Sequence, residues 1–67
     1  MAHRRPCSLD AADGLVRVQC DAGHRSQLTH ARRIADECAA ECRGRNEQQR
    51  AEFHWIAAPA ARMLGRM

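Results

Sequence analysis

The stretch CSLDAADGLVRVQC, residues 7–20, decides how the chain is expected to fold. Asp13 and Gly14 at its centre form a dipeptide that favours a tight two-residue turn, so a β-hairpin reading pairs the residues on either side of it. Cys7 then faces Cys20. The same register sets Leu9 against Val18 and Ala11 against Val16 on the cysteine face, with Ser8 against Gln19 and Asp10 against Arg17 on the other. One face is apolar and the other polar. The second strand, from Leu15 to Cys20, has the alternation and β-branched content of a half-buried strand. Asp10, Ala11 and Ala12 weaken the first strand and leave a looser loop as the alternative.

Beyond a turn at residues 21–24, Ser26 is a good N-cap for a helix over about 27–43. Leu28, Ala31, Ala35, Cys38 and Cys42 recur at three- and four-residue steps, which gives that helix an inward stripe. Arg32 with Asp36 and Arg33 with Glu37 are four-apart opposite charges on its outer side. Gly44 suits the position just past its end. Asn46 and Gln49 resemble a capping box opening a second helix over about 47–58. Pro59 should stop or kink it, yet Phe53, Ile56, Ala57, Ala60 and Leu64 continue one stripe, so a kinked helix to about residue 66 is expected. The expected fold is a single small α+β domain over 1–67, a β-hairpin at about 7–20 followed by two helices in ββαα order.

A chain of 67 residues has room for one small core, and below roughly 70–80 residues such cores commonly need disulfides, a metal or a partner. Phe53 and Trp55 are the only aromatic residues, and the abundant alanines bury little area each. All 11 basic residues are arginine, set against eight acidic ones for a net charge of +3. That balance suits weak attraction to polyanions and falls short of a basic arm. The N-terminal residues are basic but lead into no apolar run of the ~7–15 residues that a secretory signal needs. A cytoplasmic, reducing location is the resulting expectation, and no membrane partner is expected.

In a reducing compartment, a compact cysteine set points to metal ligation before disulfides. Cys7, Cys20, Cys38 and Cys42 would supply a cross-strand pair and a helical i,i+4 pair, converging on one Zn2+. This layout resembles the ββα zinc finger, with twelve residues inside the first pair where the finger has two to four, and with cysteines in place of the helical histidines. An alternative ligand set exchanges Cys7 for His24, since Cys20 through Gly23 and His24 resembles a zinc-ribbon knuckle that has lost one cysteine. The short run from Cys38 to Arg43 is similar to a turn of bacterial copper-storage helices. Buried thiols and disulfides are the competing readings. His3 lies in the N-terminal lead, His30 in the first helix, and His54 between Phe53 and Trp55 without a ligand-spaced partner, so each reads as a surface or packing residue.

Neither a nucleophile elbow nor a glycine-rich phosphate loop occurs, and a closed four-ligand zinc is structural, so the expected protein is not an enzyme and takes no small-molecule substrate. The leading expectation is a zinc-stabilised regulator of bacterial or phage type that contacts nucleic acid. Arg4, Arg5, Arg17 and Arg25 would gather at one hairpin end, and Arg43 and Arg45 at the end of the first helix. The alternative is a protein-binding adaptor, inhibitor or accessory subunit of a larger assembly using the C-terminal helix, which would also serve an oligomer. A secreted, disulfide-stapled peptide is a further alternative. Trp55 points away from the apolar stripe, towards Arg62 and Arg66, which suits either a binding hot spot or a base-stacking platform. If Pro59 bends the terminal segment, Trp55 is instead a buried core residue.

Overall fold

Ser8 opens a helix where a strand was expected. Its side chain accepts a hydrogen bond from the Ala11 backbone N–H at 3.3 Å, and Asp10 places a negative charge in the first turn, where the helix dipole favours it. In the computed structural model, which describes residues 7–67, the chain forms α1 (Leu9–Ala22), α2 (Arg25–Cys42) and α3 (Glu47–Arg66), with no strand among the described residues.

The hairpin is therefore corrected to α1, and the ββαα α+β fold to three helices. Leu9, Ala12, Val16 and Cys20 fall at helical steps and turn one stripe inwards, with Ala12 and Val16 buried. Val18, assigned to the apolar hairpin face, is 61% exposed. Arg17 pairs with Asp13 one helical turn away at 2.9 Å, in place of the cross-strand Asp10. The residue that takes the left-handed conformation is Gly23 and not Gly14: Gly23 has φ 71°, and its N–H closes α1 on the Gln19 carbonyl at 3.0 Å. The physical reason is burial. An isolated two-stranded hairpin is marginal in water, whereas an amphipathic helix lays its stripe against two other helices. A mid-helix glycine at exposed Gly14 costs only about 1 kcal/mol relative to alanine.

α2 begins at Arg25, one residue before Ser26, with His24 as its N-cap. It buries Leu28, Ala31, Ala35, Cys38, Ala39 and Cys42. Gly44 then takes φ 77° and donates its N–H to Glu47 Oε1 at 2.9 Å, while Asn46 Oδ1 accepts from the Gln49 N–H at 3.1 Å. α3 runs through Pro59 without interruption.

Two clusters share the core. One joins Ala12 of α1, Cys38, Ala39 and Cys42 of α2, and Phe53 of α3, with Cys7 and Leu9 packed against it. The other joins Val16, Leu28, Ala31 and Ala60, with Cys20, Met63 and Leu64 around it. Ile56 touches both. The pairings make the topology up–down–up: the start of α1, the end of α2 and the start of α3 share one end of the bundle. None of the helices is long and apolar enough to cross a membrane.

Two consequences can be measured. Pro59 sits exposed inside α3, where it removes one backbone hydrogen bond. Pro59→Ala is expected to raise the unfolding free energy from urea titration by about 2 kcal/mol, once proline's restriction of the unfolded chain is subtracted. Glu47 has its carboxyl held below the ordinary 4.5, first by the Gly44 N–H and then by Arg50 at 3.0 Å. A lowered folded pKa stabilises the fold above the unfolded value and loses that effect as pH falls through the folded one. Thermal melts should thus show wild type above Glu47→Gln at neutral pH, with the gap closing in acid.

Candidate binding groove and cysteine cluster

The four cysteines do not converge. Cys7 precedes α1 and Cys20 lies in its last turn, 13 residues apart in sequence, which is roughly 20 Å along a helix. Cys7 instead forms a disulfide with Cys38, their Cα atoms 5.4 Å apart, and Cys20 belongs to the other core cluster. Cys42 is a buried free thiol whose Sγ donates to Gln49 Oε1 at 3.6 Å. His24 is exposed at the start of α2, whereas Cys38 and Cys42 lie towards its end. Among the described residues no three His, Cys, Asp or Glu side chains are placed to hold a metal ion. The zinc-finger and metal-binding expectation, with either ligand set, is thereby overturned. The cause is the helical state of residues 9–22, which sets Cys7 beside Cys38 and carries Cys20 to the other core cluster, away from Cys38 and Cys42.

The bridge joins the residue before the α1 cap to the last third of α2. Closing a chain separation of 31 residues removes denatured-state freedom worth about 3–4 kcal/mol in the loop-entropy account. Cys42 cannot replace Cys7 while α2 stays helical: i,i+4 Cβ atoms stand about 5–6 Å apart, against roughly 3.5–4.5 Å in a disulfide.

The arginines are dispersed as well. Arg4 and Arg5 lie outside the described residues. Arg17 is paired with Asp13 on α1. Arg25 opens α2 at one end of the bundle, while Arg43 and Arg45 occupy the α2–α3 turn at the other. Arg62 and Arg66 are exposed on the last turns of α3, at the Arg25 end. The hairpin end around which Arg17 and Arg25 were expected to gather does not exist among the described residues, because α1 takes its place.

What the fold does assemble is a groove of about 580 Å³ between α1 and α3. Val16 and Cys20 of α1 and Ile56 and Pro59 of α3 give it an apolar lining, Trp55 forms one wall, and Asp13, Arg17 and Asp21 stand along the α1 side. Trp55 is 80% exposed and outside both core clusters, so it is not a second core. Pro59 has no N–H to give the Trp55 carbonyl one turn back, which leaves an acceptor beside the same wall. Asp13, Asp21 and Cys20 were not singled out for this role from sequence. The signal that could have found them is the i,i+4 row Asp13–Arg17–Asp21, visible once residues 9–22 are set on a helical wheel.

An indole this exposed adds little to folding. Trp55→Ala is expected to change stability by less than about 0.5 kcal/mol and Tm by no more than about 4 °C in a thermal melt; a larger loss would mean that the ring is packed in solution. No protein-family model, characterised protein or solved structure matches this chain, and the reading of the groove rests on its own geometry.

Proposed function

We propose that the chain is a non-catalytic protein-binding module whose α1–α3 groove receives a partner segment bearing an apolar side chain next to Lys or Arg. The observation that carries this reading is Trp55, 80% exposed on the wall of an apolar groove with carboxylates on the opposite side. Trp is enriched among residues that dominate binding energy, and it offers a large rigid surface with an N–H donor. Asp13 is partly neutralised by Arg17, while Asp21 has no ion-pair partner among the described residues and is suited to a basic group. Two carboxylates across the groove from the Trp argue against a phosphate backbone on this face. Among the described residues, the turn arginines that would attract one, Arg25 against Arg43 and Arg45, are divided between the two ends of the bundle. The Cys7–Cys38 bridge supports a chain that meets oxidising conditions, against the cytoplasmic expectation.

Selection of displayed peptides on the immobilised protein tests this. Enriched peptides should pair an aromatic or aliphatic residue with Lys or Arg, and lose at least about tenfold in affinity against Trp55→Ala or Asp21→Asn, the loss of about 1.4 kcal/mol expected of a central contact. A 20-nucleotide single strand that binds instead, with affinity falling steeply between 50 and 200 mM salt, would replace this reading with the nucleic-acid one. Peptides that ignore both substitutions, no enrichment at all, or a dimer that covers Trp55 would each overturn it.

A further inference from the structure

The surroundings of Cys7 are built for two chemical states. Its sulfur is bonded to Cys38, and the same Sγ stands 2.8 Å from Glu41 Oε2. A disulfide sulfur has no proton to share. A thiol at that position does, and a thiol donating to a carboxylate makes a charge-assisted hydrogen bond. Glu41 follows Cys38 by three residues on α2, so bond partner and hydrogen-bond acceptor lie one helical turn apart. Cys7 is half-buried and Cys38 is 6% exposed, so Cys7 is the sulfur that an external reagent reaches. Cys42 donates to Gln49 and is too distant by helix geometry to bridge Cys38, so it does not compete with Cys7 for that sulfur.

We propose that Cys7 and Cys38 form a reversible thiol–disulfide site that sets how firmly α1 is docked, and thereby opens or completes the α1–α3 groove. The co-reactant is a dithiol. One of its thiolates attacks Cys7 Sγ, the S–S bond breaks, and Cys38 leaves as a thiolate that takes a proton from water. The second thiol then attacks the mixed disulfide and displaces Cys7, which is protonated and donates to Glu41. Two electrons and, in net terms, two protons pass from the dithiol to the protein, and the dithiol leaves as a disulfide. The reverse exchange restores the bridge.

α1 is the element that feels the change. α2 and α3 share the most extensive interface of the three, and the bridge is the covalent tie between the start of α1 and that pair. α1 supplies Asp13, Val16, Arg17 and Cys20 to the groove, facing Trp55. Trp55 is the only tryptophan, so its fluorescence reports on that neighbour. The gating of a partner rests on the function proposed above. The redox step and the movement of α1 do not, and they are tested without any partner.

The full chain is equilibrated in dithiothreitol buffers of graded reduced-to-oxidised ratio, quenched by alkylation and read by mass spectrometry, with hydrogen exchange and Trp55 emission followed in parallel. The expected result is one reversible two-electron transition in which Cys7 and Cys38 become alkylated together. Amide exchange in α1 should accelerate while α2 and α3 keep their protection, and Trp55 emission should shift with the same midpoint. Glu41→Ala removes the acceptor for the reduced thiol and should move the equilibrium towards the disulfide by about tenfold, the size of one charge-assisted hydrogen bond. A disulfide that reduces only when all three helices lose protection together would overturn the proposal. So would reduction that leaves α1 exchange unchanged, or a Glu41→Ala midpoint equal to that of wild type. If α1 loosens on reduction and a groove-selected peptide binds both forms equally, the gating fails while the binding function stands.

Discussion

Helix-to-helix packing in this chain has to be made through alanine. Phe53 and Leu28 are the largest side chains fully removed from solvent, and most of the remaining core is Ala12, Ala31, Ala35, Ala39, Ala57 and Ala60 with Val16 and two cysteines. Small residues bury little area each but let helix axes approach, so the stabilisation comes from continuous contact along three seams and from no single anchor. The same constraint accounts for the bridge. A core this thin gains more from a covalent tie between α1 and α2 than a larger one would, and Cys7 and Cys38 sit where α1 starts, against the Phe53 cluster.

That thin core also explains why the chain has a groove. α2 and α3 satisfy each other along most of their length, and α1 lies across them with Ala12 and Val16 as its only buried side chains. The α1–α3 seam is left partly open on the side where Ile56 and Pro59 meet Val16 and Cys20. Trp55 stands at its edge because a tryptophan directed inwards would force apart helices spaced for alanine. The binding surface and the packing constraint are thus two aspects of one geometry.

Charge follows the same division. Arg17, Arg32 and Arg50 are spent on neighbours within their own helices, which supports the helices locally and is worth a few tenths of a kcal/mol per exposed pair. Turn arginines stand at opposite ends of the bundle. Among the described residues the groove lining carries the carboxylates of Asp13 and Asp21 against the single arginine Arg17, which is not a basic face.

From sequence alone, α2 and α3 were legible because their apolar residues obey one period only. Leu28, Ala31, Ala35, Cys38 and Cys42 fit 3.6 and not 2, and Asn46 and Gly44 mark the turn between the helices by chemistry that acts within a few residues. Trp55 was placed outside the stripe by the same arithmetic. Residues 7–20 were misread because Leu9, Val16 and Cys20 fit both periods, Val18 added β-branched weight, and Asp13-Gly14 looks like a turn when judged locally. The hairpin register took Ser8 as a strand residue, whereas the structure uses it as the N-cap of α1. Tertiary structure decided between them. Only as a helix can this segment bury Ala12 and Val16 against α2 and α3 at once, and that choice carries Cys7 to Cys38 and Cys20 to the groove. A sequence states which residues are apolar and at what spacing; where two spacings are satisfied together, the surface available to bury them selects the structure, and with it the site.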